Sequence, residues 1–231
     1  MSDRFANLRK VPKHPARRFL AAVNARLDTA VEAPAAASVS DVLDELSGKG
    51  AHVDMLRLLA AALPAREAIW WSCLAGQDVV AAGAPPSACL AAAEAWVFKP
   101  SDETRAAART AAETAETEDE CALCATAVAM HDGKLGGGDL AQHAAPPGMV
   151  ANAALAMNVK VLGTVEEPLL FVPTLEMLID RALDIARGGN GKIAAAEPLP
   201  DPQEAALAEA RAAGPPPDDT PRRPRPGGPA Q

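Results

Sequence analysis

Aromatic side chains are scarce in this chain of 231 residues, which contains three tryptophans, four phenylalanines and no tyrosine. Much of its 49% hydrophobic content is alanine, which buries little surface, so a few large side chains must supply most of the core. No apolar run approaches the ~18–20 residues that a bilayer-spanning helix needs. The sequence therefore predicts a globular protein without a membrane span.

Charge is distributed unevenly along the chain, whose net charge is -8. Residues 1–30 carry seven lysines and arginines against Asp3 and Asp28, whereas residues 31–195 carry twice as many acidic as basic side chains. An acidic body lacks the continuous basic face that nucleic-acid phosphates require, so no nucleic-acid partner is expected. The basic N-terminal residues are expected to be solvated, or to contact an acidic partner or the acidic body itself.

A possible export signal lies at Arg17-Arg18 and the apolar residues after them, as in twin-arginine signals. Asn24, Arg26 and Asp28 interrupt the apolar region that such a signal needs, and no small-residue cleavage site follows. A cytoplasmic location is therefore expected, and the four cysteines are expected to be reduced thiols.

Apolar residues at helical spacing, separated by proline and glycine, predict a succession of short helices. No alternating strand pattern of useful length occurs, so the expected class is all-α, as a compact bundle or a short stack of helical hairpins. The apolar run at 169–172 is too short to distinguish a strand from buried coil. The predicted helices cover residues 17–31, 38–48, 52–63, 65–74, 85–97, 102–114, 118–130, 146–161 and 174–187.

Composition divides the chain into four segments. Residues 1–15 are predicted as a flexible basic leader, 16–37 as an N-terminal helix and hinge, and 38–190 as an all-helical domain. Residues 191–231 are predicted as a disordered tail, because ten of the 21 prolines lie between Pro198 and Pro229. This tail is expected to be a solubilising segment or a polyproline II ligand.

Cys121 and Cys124 form a C-x-x-C pair, which His131 and His143 follow. Such residues can bind zinc or, as a cysteine pair, act as a redox couple. The histidine spacing is wider than in a standard zinc finger, and the βαβ context of redox pairs is absent. Core packing of two small thiols is therefore expected and no cofactor is predicted, with a zinc site of these four residues as the alternative.

Motifs for catalysis are missing from the sequence. The glycine-rich stretch at 132–138 lacks the order of a phosphate-binding P-loop, because its lysine precedes the glycines. No G-x-S-x-G nucleophile motif occurs, and the paired acidic residues are adjacent, so they point apart on a helix. The sequence predicts a protein that is not an enzyme.

The tryptophans are the best candidates for a contact with another protein, because tryptophan is enriched at interfaces. Adjacent helical residues diverge by about 100°, so Trp70 and Trp71 cannot share one face. Trp70 is predicted on the core side and Trp71, nearer Glu67, in a groove or interface. Trp96 and Arg105 complete the candidate contact residues. Because aromatics are scarce, the tryptophans are expected to pack between the helices, with a partner groove as the alternative.

Three runs of the chain carry a family resemblance: REAIWWSCL at 66–74, AEAWV at 93–97 and PSDETR at 100–105. Over roughly residues 50–160, the chain resembles an uncharacterised, all-helical bacterial domain family of proteins encoded near type VI secretion genes. The resemblance implies an accessory, adaptor or chaperone role with a secretion-system component as partner, and supplies no catalytic residue. A protein-interaction module is therefore expected, with a metal-binding regulatory or enzymatic protein as the alternative. The oligomeric state stays open.

Overall fold

The computed structural model describes residues 3–80, 87–117 and 119–199 of the chain. Over these residues the fold is all-α, as the sequence predicts, with α-helices, two 3-10 helices at Asp3–Phe5 and Gly138–Gln142, and no named strand. The α-helices are α1 (Ala16–Ala22), α2 (Val39–Gly48), α3 (His52–Ala62), α4 (Ala65–Val79), α5 (Ala88–Phe98), α6 (Asp102–Glu113), α7 (Ala122–Ala129), α8 (Met149–Leu162) and α9 (Pro168–Arg187).

Serine caps define the starts of three of these helices. The hydroxyls of Ser38, Ser87 and Ser101 each accept a hydrogen bond from a backbone N–H three residues later, at 3.2, 3.1 and 3.1 Å. The N–H groups of a helix's first turn have no partner within the helix, so these caps satisfy donors that would otherwise be unpaired. The sequence therefore determines these helix starts through local chemistry.

Helix α4 is the centre of the fold and packs against α5, α7, α8 and α9. From residue 68 to residue 76, every residue of α4 is buried except Trp70. A helix buried on several sides needs small residues where its neighbours approach closely, and α4 provides serine, cysteine, alanine and glycine there. The position of α4 therefore determines which side chains of the domain reach the surface.

Gly76 does not end α4, contrary to the sequence prediction, and the helix continues to Val79. The glycine is required by packing, because a Cβ atom at this position would lie 3.1 Å from Leu90 Cδ1, 3.2 Å from Cys121 Sγ and 3.3 Å from Cys124 Sγ. These distances are shorter than ordinary van der Waals contacts, so α5 and α7 approach α4 as closely as they do because residue 76 has no side chain.

Replacement of Gly76 by alanine is expected to lower the free energy of unfolding. The gain of about 1 kcal/mol from alanine's helix propensity is outweighed by overpacking, which costs about 1–3 kcal/mol, so the net loss is about 1 kcal/mol. Urea unfolding measures the change. The control is Gly48→Ala at the end of α2, where a Cβ atom meets nothing within 4 Å. A Gly76→Ala variant as stable as Gly48→Ala would contradict the close packing.

Helix α1 is shorter than the sequence predicts. Helix α1 ends at Ala22 instead of residue 31, and Asn24 adopts a left-handed φ of 52°. The chain then turns toward α3, where the carboxylate of Asp54 accepts hydrogen bonds from the backbone N–H groups of Asp28 and Thr29 at 3.1 and 2.7 Å. Hydrogen bonds to a buried carboxylate that is distant in sequence therefore take the place of the backbone bonds expected in a longer α1.

Helix α9 begins at Pro168 and includes the ambiguous run at 169–172. Proline is favoured in the first turn of a helix, where its missing N–H costs no hydrogen bond. Pro173 lies only five residues further along, so it removes a single intrahelical bond and does not end the helix. The helix is therefore six residues longer at its N-terminus than predicted.

The leader of residues 3–15 packs onto the helices instead of extending as a flexible segment, which corrects the sequence prediction. Phe5 is 2% exposed and Val11 is also buried. The backbone N–H of Lys10 donates to the carbonyl of Ala186 near the end of α9 at 2.8 Å. Two apolar side chains and a backbone bond thus hold this segment against the helices.

The acidic body also attracts the leader electrostatically. Arg4 pairs with the carboxylates of Glu176 and, at 2.8 Å, Asp180 on α9. Burial raises the pKa of Glu176, but hydrogen bonds and charge from Arg4 and His52 more than offset this effect and hold the pKa below its usual value. The sequence left open whether the basic leader is solvated, binds an acidic partner or contacts the acidic body of its own chain. In the structure, it contacts that acidic body.

A compact unit comprises Met1–Pro198. Residues 191–199 carry no regular secondary structure, and the rest of the predicted tail, residues 200–231, lies outside the described residues. In the ranges that the structure describes, no helix has both the length and the apolar composition to cross a membrane.

Candidate functional site

The two adjacent tryptophans of α4 lie in different environments, and the structure reverses their predicted positions. Trp71 is fully buried, and its indole Nε1–H donates to the carbonyl of Leu178 on α9 at 3.1 Å. Trp70 is half-buried, and its Nε1–H donates to the carbonyl of Asn190 at 2.7 Å. Because α9 covers the Trp71 side of α4, that tryptophan belongs to the core and Trp70 is directed to the surface.

Trp70 lines a surface groove between the start of α4, the end of α5 and the end of α9. We call it the Trp70 groove; it encloses about 280 Å³ and its principal lining side chains are Lys10, Arg66, Glu67, Trp70 and Phe98. The ring of Phe98 is 70% exposed and meets the indole of Trp70 edge-on, with 5.6 Å between ring centroids. Two aromatic rings therefore face solvent together in a chain that has few aromatics.

Charged groups surround this aromatic pair. The Lys10 ammonium lies 3.2 Å from a Glu67 carboxylate oxygen, while Arg66 Nε–H donates to the carbonyl of Val97 at 2.8 Å. The C-terminal ends of α5 and α9 both reach the groove, and helix C-termini carry partial negative charge from their unpaired carbonyls. The groove thus combines aromatic surface with one carboxylate, two cations and two helix ends.

Trp96 and Arg105, the other predicted contact residues, do not line this groove. Trp96 is 3% exposed and packs on the ring of His131, with 4.6 Å between centroids. Arg105 pairs with Asp102 at 2.6 Å and with Asp132 at 3.4 Å. Of the five predicted contact residues, the structure places only Glu67 and Trp70 together in the Trp70 groove.

Sequence reasoning missed Lys10, Phe98 and Asn190, which join Trp70 from three distant parts of the chain. For Phe98 a signal existed, because this large apolar residue stands directly before the Lys99-Pro100 helix stop, where few helical neighbours can cover it. The positions of Lys10 and Asn190 depend on how the leader and the end of α9 pack, and no local pattern indicates that.

All four cysteines of the chain are buried, and they come from the segments of α4, α5 and α7. Three of the thiols donate to backbone carbonyls: Cys124 Sγ lies 3.3 Å from the carbonyl oxygen of Ser72, Cys89 Sγ lies 3.3 Å from that of Ala111, and Cys121 Sγ lies 3.6 Å from that of Gly76. A thiol in such a position acts as a small apolar side chain with one weak donor. This placement agrees with the core packing that the sequence predicts for Cys121 and Cys124.

The environment of Cys73, Cys89 and Cys121 favours the protonated thiol. Burial raises the pKa of Cys121 to about 11 and that of Cys89 to about 12. The hydrogen bond with Cys124 and burial raise the pKa of Cys73 far above its usual value. Because the thiolate is the form that binds metals and attacks electrophiles, these thiols are unreactive at neutral pH.

The structure does not bring Cys121, Cys124, His131 and His143 together as a metal site. His131 lies against Trp96. Burial, which is the larger effect, and the positive charge of Arg105 lower the pKa of the His131 ring. In the part of the chain that the structure describes, no group of three or more histidine, cysteine, aspartate or glutamate side chains is arranged to hold a metal ion.

The native protein is expected to leave all four thiols unmodified by the thiol reagent DTNB at pH 8. Burial blocks access to all four thiols, and the raised pKa values of Cys73, Cys89 and Cys121 leave these three almost no thiolate, so modification should require unfolding. Absorbance at 412 nm, measured with and without guanidinium, checks this expectation. Fast reaction of two thiols in the native protein would contradict it.

The chain was compared with protein families, curated proteins and solved structures. A family of unknown function, DUF6931, matches residues 42–186, which is more than half of the chain and includes the range of the sequence resemblance. This match carries no link to type VI secretion. No curated protein and no solved structure matches the chain. The residues from α2 to the end of α9 therefore identify the chain as a member of the DUF6931 family.

Proposed function

We propose that this protein is a non-enzymatic interaction module that binds another protein through the Trp70 groove. The observation that carries the proposal is the exposure of Phe98 beside Trp70. The other two tryptophans are buried, and Phe98 is the most exposed of the large apolar side chains in the described residues. Interface energy is concentrated in tryptophan and other large side chains with a fixed orientation.

The groove is preorganised for binding. The indole of Trp70 is held by its hydrogen bond to Asn190, and its edge-on contact with Phe98 restricts both rings. Side chains that are already fixed lose little conformational entropy when a partner arrives. Beneath them, the buried residues of α4 provide a rigid base.

The proposed role is that of an accessory, adaptor or chaperone protein of a bacterial secretion system. Support for a secretion-system partner comes from the sequence resemblance alone, whereas the groove supports a protein partner of any pathway. The alternative of a metal-binding regulatory or enzymatic protein gains no support from the placement of its cysteines and histidines, which the described residues do not bring together.

Site-directed photo-crosslinking tests the groove as an interaction surface. The photoreactive residue p-benzoylphenylalanine replaces Phe98 in the full chain, expressed in its host, and crosslinked proteins are identified by mass spectrometry. The matched control carries the same residue at Phe171, which is 45% exposed near the start of α9. A defined protein should crosslink several-fold more strongly at position 98 than at position 171.

Equal crosslinking at both positions, or none at position 98, would contradict the proposal. The identity of the captured protein tests the secretion role separately, because a secretion-system component supports it and a protein of another pathway contradicts it. Circular dichroism of both variants confirms that the photoreactive residue leaves the helices intact.

A further inference from the structure

Glu67 is an anion fixed beside the aromatic pair of the Trp70 groove. It precedes Trp70 by three residues on α4, so the two side chains share one helix face. Its side chain is only 19% exposed, and it forms an ion pair with the Lys10 ammonium at 3.2 Å. A partly buried carboxylate needs a cation or hydrogen-bond donor nearby, so this position selects for positive charge.

Lys10 is a replaceable occupant of this position. Its side chain is 50% exposed, and ion pairs in such exposed positions contribute little to stability. The backbone of Lys10 is held independently by its N–H bond to the Ala186 carbonyl. The ammonium can therefore move into water while the leader stays in place.

The surroundings of Glu67 also favour a cation. The faces of tryptophan and phenylalanine rings attract ammonium and guanidinium groups, and the C-terminal ends of α5 and α9 contribute partial negative charge. Arg66 lines the groove too, and the hydrogen bond from its Nε–H to the Val97 carbonyl holds its guanidinium at the end of α5. If the Lys10 side chain leaves, Glu67 is left without its ion-pair partner beside two aromatic rings.

We propose that the Trp70 groove recognises an arginine or lysine side chain of its partner, flanked by apolar residues, in the position that the Lys10 ammonium now occupies. The inference rests on the proposed function and specifies the chemistry of the partner. A volume of about 280 Å³ is below the ~300–1,000 Å³ of most small-molecule pockets and suits one long side chain with part of a neighbour. The Lys10 ammonium and the partner's cation therefore compete for the Glu67 carboxylate.

Peptide titration tests the charge preference. The probes are three acetylated, amidated peptides, Ala-Leu-X-Leu-Ala, in which X is arginine, its uncharged analogue citrulline, or glutamate. Binding to the full chain is followed by NMR of the ¹⁵N-labelled indole of Trp70, assigned with a Trp70→Phe variant. The arginine peptide should bind about five- to tenfold more tightly than the citrulline peptide, and the glutamate peptide most weakly.

Variants of the groove locate this preference. Lys10→Met removes the competing ammonium and should tighten binding of the arginine peptide several-fold. Glu67→Gln keeps the shape of the side chain and should remove most of the preference for the arginine peptide, leaving only the part that the aromatic rings and helix ends contribute. The matched control is Glu103→Gln, an exposed carboxylate on α6, which should leave the preference unchanged.

Equal binding of the arginine and citrulline peptides to the wild type would overturn the proposal, as would tighter binding of the glutamate peptide. Absence of binding by all three would also overturn it. Crosslinking at Phe98 remains a separate test of the proposed function, so a groove that captures a protein but ignores charge would contradict only the inference drawn here.

Discussion

The burial of Trp71 against α9 is the constraint on which the rest of this structure depends. Its indole fills the centre of the domain and donates to the Leu178 carbonyl, which fixes the rotation of α4 about its axis. Adjacent residues of a helix diverge by about 100°, so Trp70 must turn away from this contact. The exposure of Trp70 in its groove is thus a geometric consequence of the burial of Trp71.

Small side chains allow four helices to surround α4. At Gly76, the sulfur atoms of Cys121 and Cys124 approach closely because no Cβ is present. Thiols suit such positions, since they are compact and their single donor is satisfied by a helix carbonyl. The same packing raises the pKa values of Cys89 and Cys121, to about 12 and about 11. The arrangement that stabilises the core therefore also disfavours the thiolate form of Cys121, one member of the C-x-x-C pair.

Local chemistry in the sequence predicts the helices well, as the serine caps show, but it does not predict how they pack. The short α1 and the ordered leader both depend on distant carboxylates, Asp54 and Glu176, that no local pattern connects to them. The predicted positions of Trp70 and Trp71 are reversed in the structure because they too depend on helix packing. Both faces of α4 are apolar, and only the position of α9 distinguishes one face from the other. The Trp70 groove could not be predicted in full, since it joins residues from the leader, α5 and the end of α9.

Trp70 is the accessible tryptophan of this chain, whereas Trp71 and Trp96 belong to the core. Iodide quenching of tryptophan fluorescence measures this most directly. We expect one quenchable component in the native protein, which should disappear in Trp70→Phe and persist in Trp96→Phe. A quenchable component that survives the loss of Trp70 would place another tryptophan at the surface and contradict the account.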